Sequence, residues 1–596
     1  MPLRKLVCLA ALILALPASA TPESDAAAAR AVFEANLAAI AERDGDAYLA
    51  TYLQAPTLAR VGHDGPTLGY EDFAAQAGGG WPEVFEAQDL RLVPVEPGVV
   101  YGTYRYRVVY GTGGEASEHA GISERLFVDT PDGWRIAVTS AWEAPPGTPP
   151  PPRALVGATL VDGTGGGPVA DSVVIMRNGE IDCAGTRADC PLPEGVGVVD
   201  LAGKWLAPGL VDAHVHFSQT GWVDGRPDAM DVRGEHPYEE TMARQRREPE
   251  RFFRAYLCSG VTAVFDVGGY PWTWALADTA EANSLAPRVA AAGPLLSTLD
   301  HWLNLPAERQ FIHLADEAAA VAGVDYLAAG GADAVKVWFI VTGESAMEEM
   351  EAAVAAAGER ARERGLPLIV HATGLAEAKA ALRAGATMLV HSVWEAPVDD
   401  EFLRLAKENG TVYVPTLVVP FGYQRMFAAT LDDAAPEIDD PNGCVDEGTR
   451  ANVASSAGLD APGDRARLEA QREHNRRQAA TAADNLARVH AAGIPVAMGT
   501  DAGNPLTLHG PSVYAELEAM QAAGLSAMEV LVAATANGAA AMGRSDFGTV
   551  EAGKKADLVV LAEDPAANAG AWRSVTHVVR GGVLRAVAEL AAVGRE

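Results

Sequence analysis

His214-Val215-His216 stands at the end of an apolar run, Gly209-Leu210-Val211-Asp212-Ala213, and is followed by Phe217 and polar residues. Residues two apart in an extended strand point to the same side. Two imidazoles at that spacing can meet beyond the strand's C-terminal end, as two ligands of one metal ion must. Four more residues with ligand or proton-handling chemistry sit in or after other apolar runs. His371 ends Leu368-Ile369-Val370, His391 ends Met388-Leu389-Val390, Asp501 follows Ala497-Met498-Gly499-Thr500, and Lys336 lies within Ala334-Val335-Lys336-Val337-Trp338. Singly, each has a plain structural role open to it: a hydrogen-bonded His, a turn-forming Asp, a Lys that reaches solvent. Six such positions in strand order point to a metal centre.

The elements that must carry these residues are short apolar runs at 209–216, 261–267, 288–296, 332–339, 366–372, 387–392, 412–417 and 494–501, separated by Ala-rich stretches with helical spacing. Eight strands alternating with helices is the pattern of a TIM barrel, which places its chemistry at the C-terminal strand ends. The spacing breaks between the seventh and eighth runs, where a cap insertion is expected over 418–485. Alternating segments before the first run (Ala154–Val161, Ser172–Asn178) and after the last (Ala556–Leu561, Val575–Val579) suggest a small sheet domain from both ends of the unit. Ahead of it, Ala144–Pro152 is too rich in proline for a helix or central strand and reads as a semi-rigid linker. The segment before that linker opens with helical periodicity over Asp25–Gln54 and continues in strands at Leu90–Val95, Val99–Tyr110, Ala120–Asp129 and Trp134–Ala141, an α+β pattern.

A formal charge of −33 over 596 residues argues against a nucleic-acid partner, which would need a basic face. Arg4 and Lys5, the apolar Leu6–Leu16 and the small Ala18-Ser19-Ala20 read as a secretory signal, so a periplasmic or secreted protein without a membrane span is expected. In an oxidising compartment Cys183 and Cys190 can close a short loop, with a free pair the equal alternative. Cys258, within an apolar helix pattern, reads as a buried free thiol.

These motifs resemble the metal-dependent amidohydrolase superfamily, in its imidazolonepropionase-like and Xaa-Pro-dipeptidase-like branch. The landmarks are Leu206-Ala207-Pro208-Gly209-Leu210-Val211-Asp212, the His-x-His pair, the single His on strands five and six, Gly499-Thr500-Asp501-Ala502-Gly503, Thr535-Ala536-Asn537 and Gly553-Lys554-Lys555-Ala556-Asp557-Leu558. The N-terminal segment resembles the cone-shaped nuclear-transport-factor-2-like (SnoaL-like) superfamily through its opening helix, Arg43-Asp44-Gly45-Asp46 and Gly133-Trp134-Arg135-Ile136. The implied fold class is α/β: a TIM (β/α)8 barrel over 208–544, a composite β-sandwich from 154–207 and 545–596, a linker at 144–153, a separate α+β cone over 21–143, and a signal at 1–20. His63 and Asp64 would lie in a loop of the cone or line its cup.

The resemblance also implies ligand roles. His214, His216 and Asp501 would hold one divalent ion and His371 and His391 a second, with zinc the default for this donor set and manganese, cobalt and iron left open. An ammonium cannot ligate a cation, so Lys336 would act as N6-carboxylysine, a carbamate formed with carbon dioxide that bridges the two ions. A metal-activated hydroxide would attack a carbonyl, with Asp501 as catalytic base and then acid toward the leaving amine. His509 and Tyr270 are the candidate substrate contacts, with Trp272 beside them, while Phe265-Asp266 departs from the Arg-Asp that many relatives carry there. The expected activity is hydrolysis of a C–N amide bond in a small peptide or N-acyl amino acid. A cyclic-amide or lactone hydrolase, or a non-catalytic periplasmic binding protein, are the alternatives, and association into a homo-oligomer stays open.

Overall fold

Thr21 accepts a hydrogen bond from the Ser24 amide and Pro22 follows it, so an Ala-rich helix begins there and runs over Pro22–Glu42. The computed structural model describes residues 21–62, 65–76, 80–111, 117–144, 152–193, 196–281, 283–341, 347–461 and 463–593. The expected signal at 1–20, His63 and Asp64, and residues 145–151 of the linker lie outside the described residues. The chain divides into two compact units, one ending at Thr148 and the other beginning at Pro149. In the first unit, helices Pro22–Glu42, Gly45–Ala50 and Tyr70–Gln76 accompany a six-stranded sheet whose long strands are Val84–Glu96, Val99–Tyr110, Ser117–Thr130 and Gly133–Glu143. Alternation along these strands sends Val100, Tyr104, Phe127 and Ile136 into one core with Ala29 and Phe33 of the first helix.

The second unit begins and ends in β-structure. One sheet orders Glu180–Thr186, Ser172–Arg177, Arg153–Val156 and Gly197–Asp200. The other joins Val583–Ala586, Val575–Arg580 and Leu558–Leu561 from the C-terminal end to Trp205–Pro208 and Thr159–Leu160 from the N-terminal end. Leu155, Val174 and Met176 of the first share a core with Leu206, Leu558 and Val560 of the second.

Between these sheets in sequence lie the parallel strands. Leu210–Val215, Val261–Asp266 and Arg288–Ala291 form one sheet; Phe311–His313, Leu295–Ser297, Val335–Trp338, Leu368–His371, Met388–Val390 and Val412–Val414 form another. Two expectations are corrected here. The run 288–296 splits into two strands at Gly293, whose left-handed φ of 71° turns the chain; a Cβ there would fall 2.1 Å from Trp274 Nε1. The run 494–501 forms no ladder strand, so the described residues make two sheets rather than one continuous ring of eight. Pro495 lacks an N–H, and the segment is held by isolated bonds: Tyr413 N to Pro495 O (2.9 Å) on one side, Ala213 N to Met498 O (3.0 Å) on the other.

Helices Val419–Asp432, Glu447–Ala454 and Arg465–Ala491 fill the sequence before that segment. No described helix is long and apolar enough to cross a membrane. Cys183 pairs with Cys190, and Cys258 pairs with Cys444. The second pair corrects the free-thiol expectation. Cys258 is indeed buried at a helix end, but the loop before Glu447–Ala454 brings a partner 186 residues away against it.

Candidate metal centre

The strand Leu210–Val215 ends between the paired histidines, and their Nε2 atoms lie 3.3 Å apart, as two-residue spacing on one face requires. The next requirement is to bring Asp501 to them. Asp212 does this through the backbone: its Oδ1 accepts from Thr500 N (2.9 Å) and its Oδ2 from Thr500 Oγ1 (2.6 Å), while Asp501 N donates to His214 O (2.7 Å). Gly499 permits this approach, because a Cβ there would sit 2.8 Å from His214 Cβ and 2.5 Å from Val414 Cγ1. Asp501 Oδ1 then lies 3.3 Å from His214 Nε2 and 3.0 Å from His216 Nε2, and its Oδ2 lies 4.0 Å from His391 Nε2.

Parallel register supplies the remaining groups. Val335–Trp338 pairs with Leu368–His371 so that Trp338 is level with His371, and Lys336 is two residues back on the same side. His391 follows Met388–Val390, and its ring centroid lies 4.4 Å from that of His371 and 5.0 Å from that of His214. His391 (φ 72°) and Asp501 (φ 60°) both occupy the left-handed region, where non-glycine residues are rare and cluster at functional sites.

Electrostatics favour ligand forms. Burial, reinforced by Lys336, pushes His214 and His371 well below the usual imidazole range; burial and then His371 do the same for His391. Burial draws the Lys336 ammonium down to about 7 against the opposing pull of Asp501 and Asp266. His216 Nδ1 meets Gly268 O at 2.6 Å and His391 Nδ1 meets Thr416 Oγ1 at 2.6 Å, which leaves both Nε2 atoms for the cleft. Four imidazoles, an aspartate side chain and a buried amine are a donor set that fits divalent zinc-type ions. His214, His391 and Asp501 offer ligand atoms all within 4.8 Å of one another, a grouping that crosses the expected division between two ions.

All six residues line one cleft of about 220 Å3. Its other walls are aromatic and apolar (Phe311, Trp338, Trp394, Val419) with one cationic corner. There Arg226 Nε and Nη2 donate to Asp228 at 2.9 and 2.8 Å, Nη1 donates to Asn504 Oδ1, and the guanidinium lies over the Tyr423 ring. Burial raises Asp228, but the neighbouring His301 ring and the bonds from Arg226 outweigh it and hold this carboxyl below its usual range.

The two expected substrate contacts are not brought to this cleft. His509 is buried behind its wall, with Nδ1 on Tyr256 Oη (2.8 Å) and Nε2 on Gln219 O (3.0 Å), against the Phe252 ring; burial lowers it to about 3. Tyr270 is fully buried and bonded to Tyr238 Oη at 3.1 Å, and Trp272 packs in the same core. Arg226, Asp228, Asn504, Tyr423 and Thr416 escaped sequence reasoning. Arg226 and Asp228 lie ten and twelve positions past His216 in the loop after the first strand. A charged pair in a loop leaving a ligand-bearing strand was the available signal.

The amidohydrolase family model matches residues 205–585. Two curated relatives match shorter segments. N-acyl-D-aspartate deacylase from Alcaligenes xylosoxydans xylosoxydans is 40% identical over 76 residues, 13% of this chain and 14% of that one. Imidazolonepropionase from Acidiphilium cryptum is 38% identical over 65 residues, 11% of this chain and 16% of that one. The chain thus spans about one-seventh of the length of these curated relatives. Among solved structures, a Xaa-Pro dipeptidase with bound methionine in its active site superposes with a TM-score of 0.54 at 22% identity, over 73% of this chain and 100% of that one. With the family model covering well over half of the sequence and four histidines, Lys336 and Asp501 gathered in one cleft, this chain belongs to the amidohydrolase family.

Proposed function

We propose that this protein is a metal-dependent hydrolase that cleaves a C–N amide bond in a small peptide or N-acyl amino acid. One observation carries the reading: four imidazoles, Asp501 and the buried Lys336 amine share a single cleft. His214, His216 and Asp501 would hold one divalent ion and His371 and His391 another. Lys336 would bridge them as a carbamate, its Nζ adding to the carbon of CO2 with loss of one proton. Burial favours the neutral amine which that addition needs. Bound ions of this kind polarise a carbonyl and acidify water.

The chain's own groups do the rest. A carboxylate oxygen of Asp501 takes the proton released by the attacking water and delivers it to the departing nitrogen, because an amide anion leaves poorly. Arg226, held in place by Asp228 and Asn504, has further guanidinium N–H groups that would meet a substrate carboxylate, and Phe311, Trp338 and Trp394 form an apolar wall for the acyl or side-chain portion. Relatives named for N-acyl-D-aspartate deacylation and Xaa-Pro dipeptide cleavage support this class. Two disulfides support work in an oxidising compartment outside the cytoplasm.

The test is reconstitution. Chelated protein is reloaded with zinc and bicarbonate, its metal counted, and its turnover read on a library of dipeptides and N-acyl amino acids. Two equivalents of metal and an activity lost on chelation and in His371→Ala are expected. Protein that retains no metal and turns over no member of the library would overturn the reading.

A further inference from the structure

His391 depends on a residue in an improbable conformation. Its Nδ1 meets Thr416 Oγ1 at 2.6 Å, and Thr416, β-branched and 1% exposed, has φ 45°. β-Branched residues avoid this region and persist there only when their surroundings over-determine them. The chain just before Thr416 is held by strand bonds, with His391 N donating to Val414 O and Ser392 N to Pro415 O. The chain just after it leads into a helix that lacks a cap of its own. Helix Val419–Asp432 begins there with Val418 at the N-cap, a residue that makes no side-chain cap.

Glu516 supplies the missing cap from another element. It lies on helix Ser512–Ala522, fully buried, and its Oε1 accepts from Leu417 N at 2.9 Å while its Oε2 accepts from Val418 N at 3.0 Å. Among the described residues no Lys, Arg or His nitrogen lies within 4.0 Å of it. A buried carboxylate without a counter-ion is costly, and these two amides at a helix N-terminus are its compensation. Burial pushes its carboxyl up to about 8 despite both bonds, so the doubly accepting carboxylate is the form above that pH, where the variants below are compared.

We infer that Glu516 is a positioning residue of the metal centre: by capping Leu417 and Val418 it fixes Thr416, and through Thr416 it fixes the ring orientation and tautomer of His391. The pairing suits an imidazole with Nδ1 protonated and donating to Thr416 Oγ1, so that Nε2 presents its lone pair to the cleft. Glu516 itself touches no reacting group. The inference rests on the metal-centre reading above, and two readouts keep them separate.

The experiment uses the full chain as wild type, Glu516→Gln, Thr416→Val and the double variant. Glu516→Gln is nearly isosteric and keeps one acceptor, which favours folding, while its amide NH2 opposes one of the two backbone donors. Zinc affinity is measured by competition with a chelator. Each single variant is expected to bind the weaker ion roughly 10–100-fold less tightly, and the double variant no worse than the weaker single one, because both cut the same link. In chelated protein with 15N-labelled histidine, the His391 Nδ1–H signal is expected in wild type and lost or shifted in Glu516→Gln. Unchanged zinc affinity with an unchanged His391 signal would overturn the inference, as would losses that multiply in the double variant. Wild type that binds no zinc would overturn the metal reading, and the metal-free His391 signal would then decide the role of Glu516.

Discussion

Replacing Lys336 by methionine separates the cost of the buried amine from its use. The side chain is 1% exposed, and burial draws it from an ordinary 10.5 to about 7. At about 1.36 kcal/mol per pH unit, keeping this ammonium charged in the folded state costs on the order of 4–5 kcal/mol. The sign follows from proton counts. Between pH 7 and 10.5 the unfolded chain carries a proton that the folded chain lacks, so this group's contribution to stability climbs with pH through that window. Below pH 7 both states are protonated and the penalty is present in full. Methionine fills a similar volume and carries no charge. Chelated Lys336→Met protein is therefore expected to exceed chelated wild type by several kcal/mol at pH 6, with the gap closing toward pH 10. Removing Lys336 also relieves His214 and His371, which it pushes further from protonation, and this adds to the gain at low pH. Urea unfolding followed by tryptophan fluorescence, with the transition of the larger unit fitted separately, measures the gap. Zinc and bicarbonate should reverse the order, since only wild type then gains stability from bound ions. A gap that stays constant between pH 6 and 10, or a variant less stable than wild type at pH 6, would refute the buried-amine reasoning.

Two further perturbations address the cleft and its packing. Arg226→Met combined with Asp228→Asn, which avoids leaving an unpaired carboxylate, is expected to raise KM for carboxylate-bearing substrates about 10–100-fold with kcat nearly unchanged; equal effects on carboxamide analogues would show that Arg226 does not read the carboxylate. Gly499→Ala would drive a Cβ to 2.8 Å from His214 Cβ and 2.5 Å from Val414 Cγ1. It is expected to lose about 1–3 kcal/mol of stability together with zinc affinity, and wild-type values in both urea unfolding and zinc titration would disprove the contact argument.

What the sequence determined by itself was the part governed by local geometry. His214 and His216 converge because two residues of extended chain are one repeat of the pleat, wherever that chain lies. Lys336, His371 and His391 were legible as candidates because apolar runs announce strands and parallel strands present their C-terminal ends together, and Asp501 because it follows an apolar run. The tertiary structure decided whatever depends on which distant surfaces meet. The run 288–296 breaks at Gly293 because Trp274 packs there, and 494–501 makes isolated bonds because Pro495 removes a donor at that register. Cys258 found Cys444 because a loop after the helix Val419–Asp432 folds back onto its helix end. His509 and Tyr270 carry chemistry suited to a substrate pocket, yet helix packing seals both behind the wall, while Arg226 and Asp228 turn into the cleft from a loop with no regular period. Periodicity reports which side of an element a residue faces; only the packed fold sets what lies opposite, and that is why the strand-end candidates could be read in advance and Glu516, which meets the Leu417 and Val418 amides from another helix, could not.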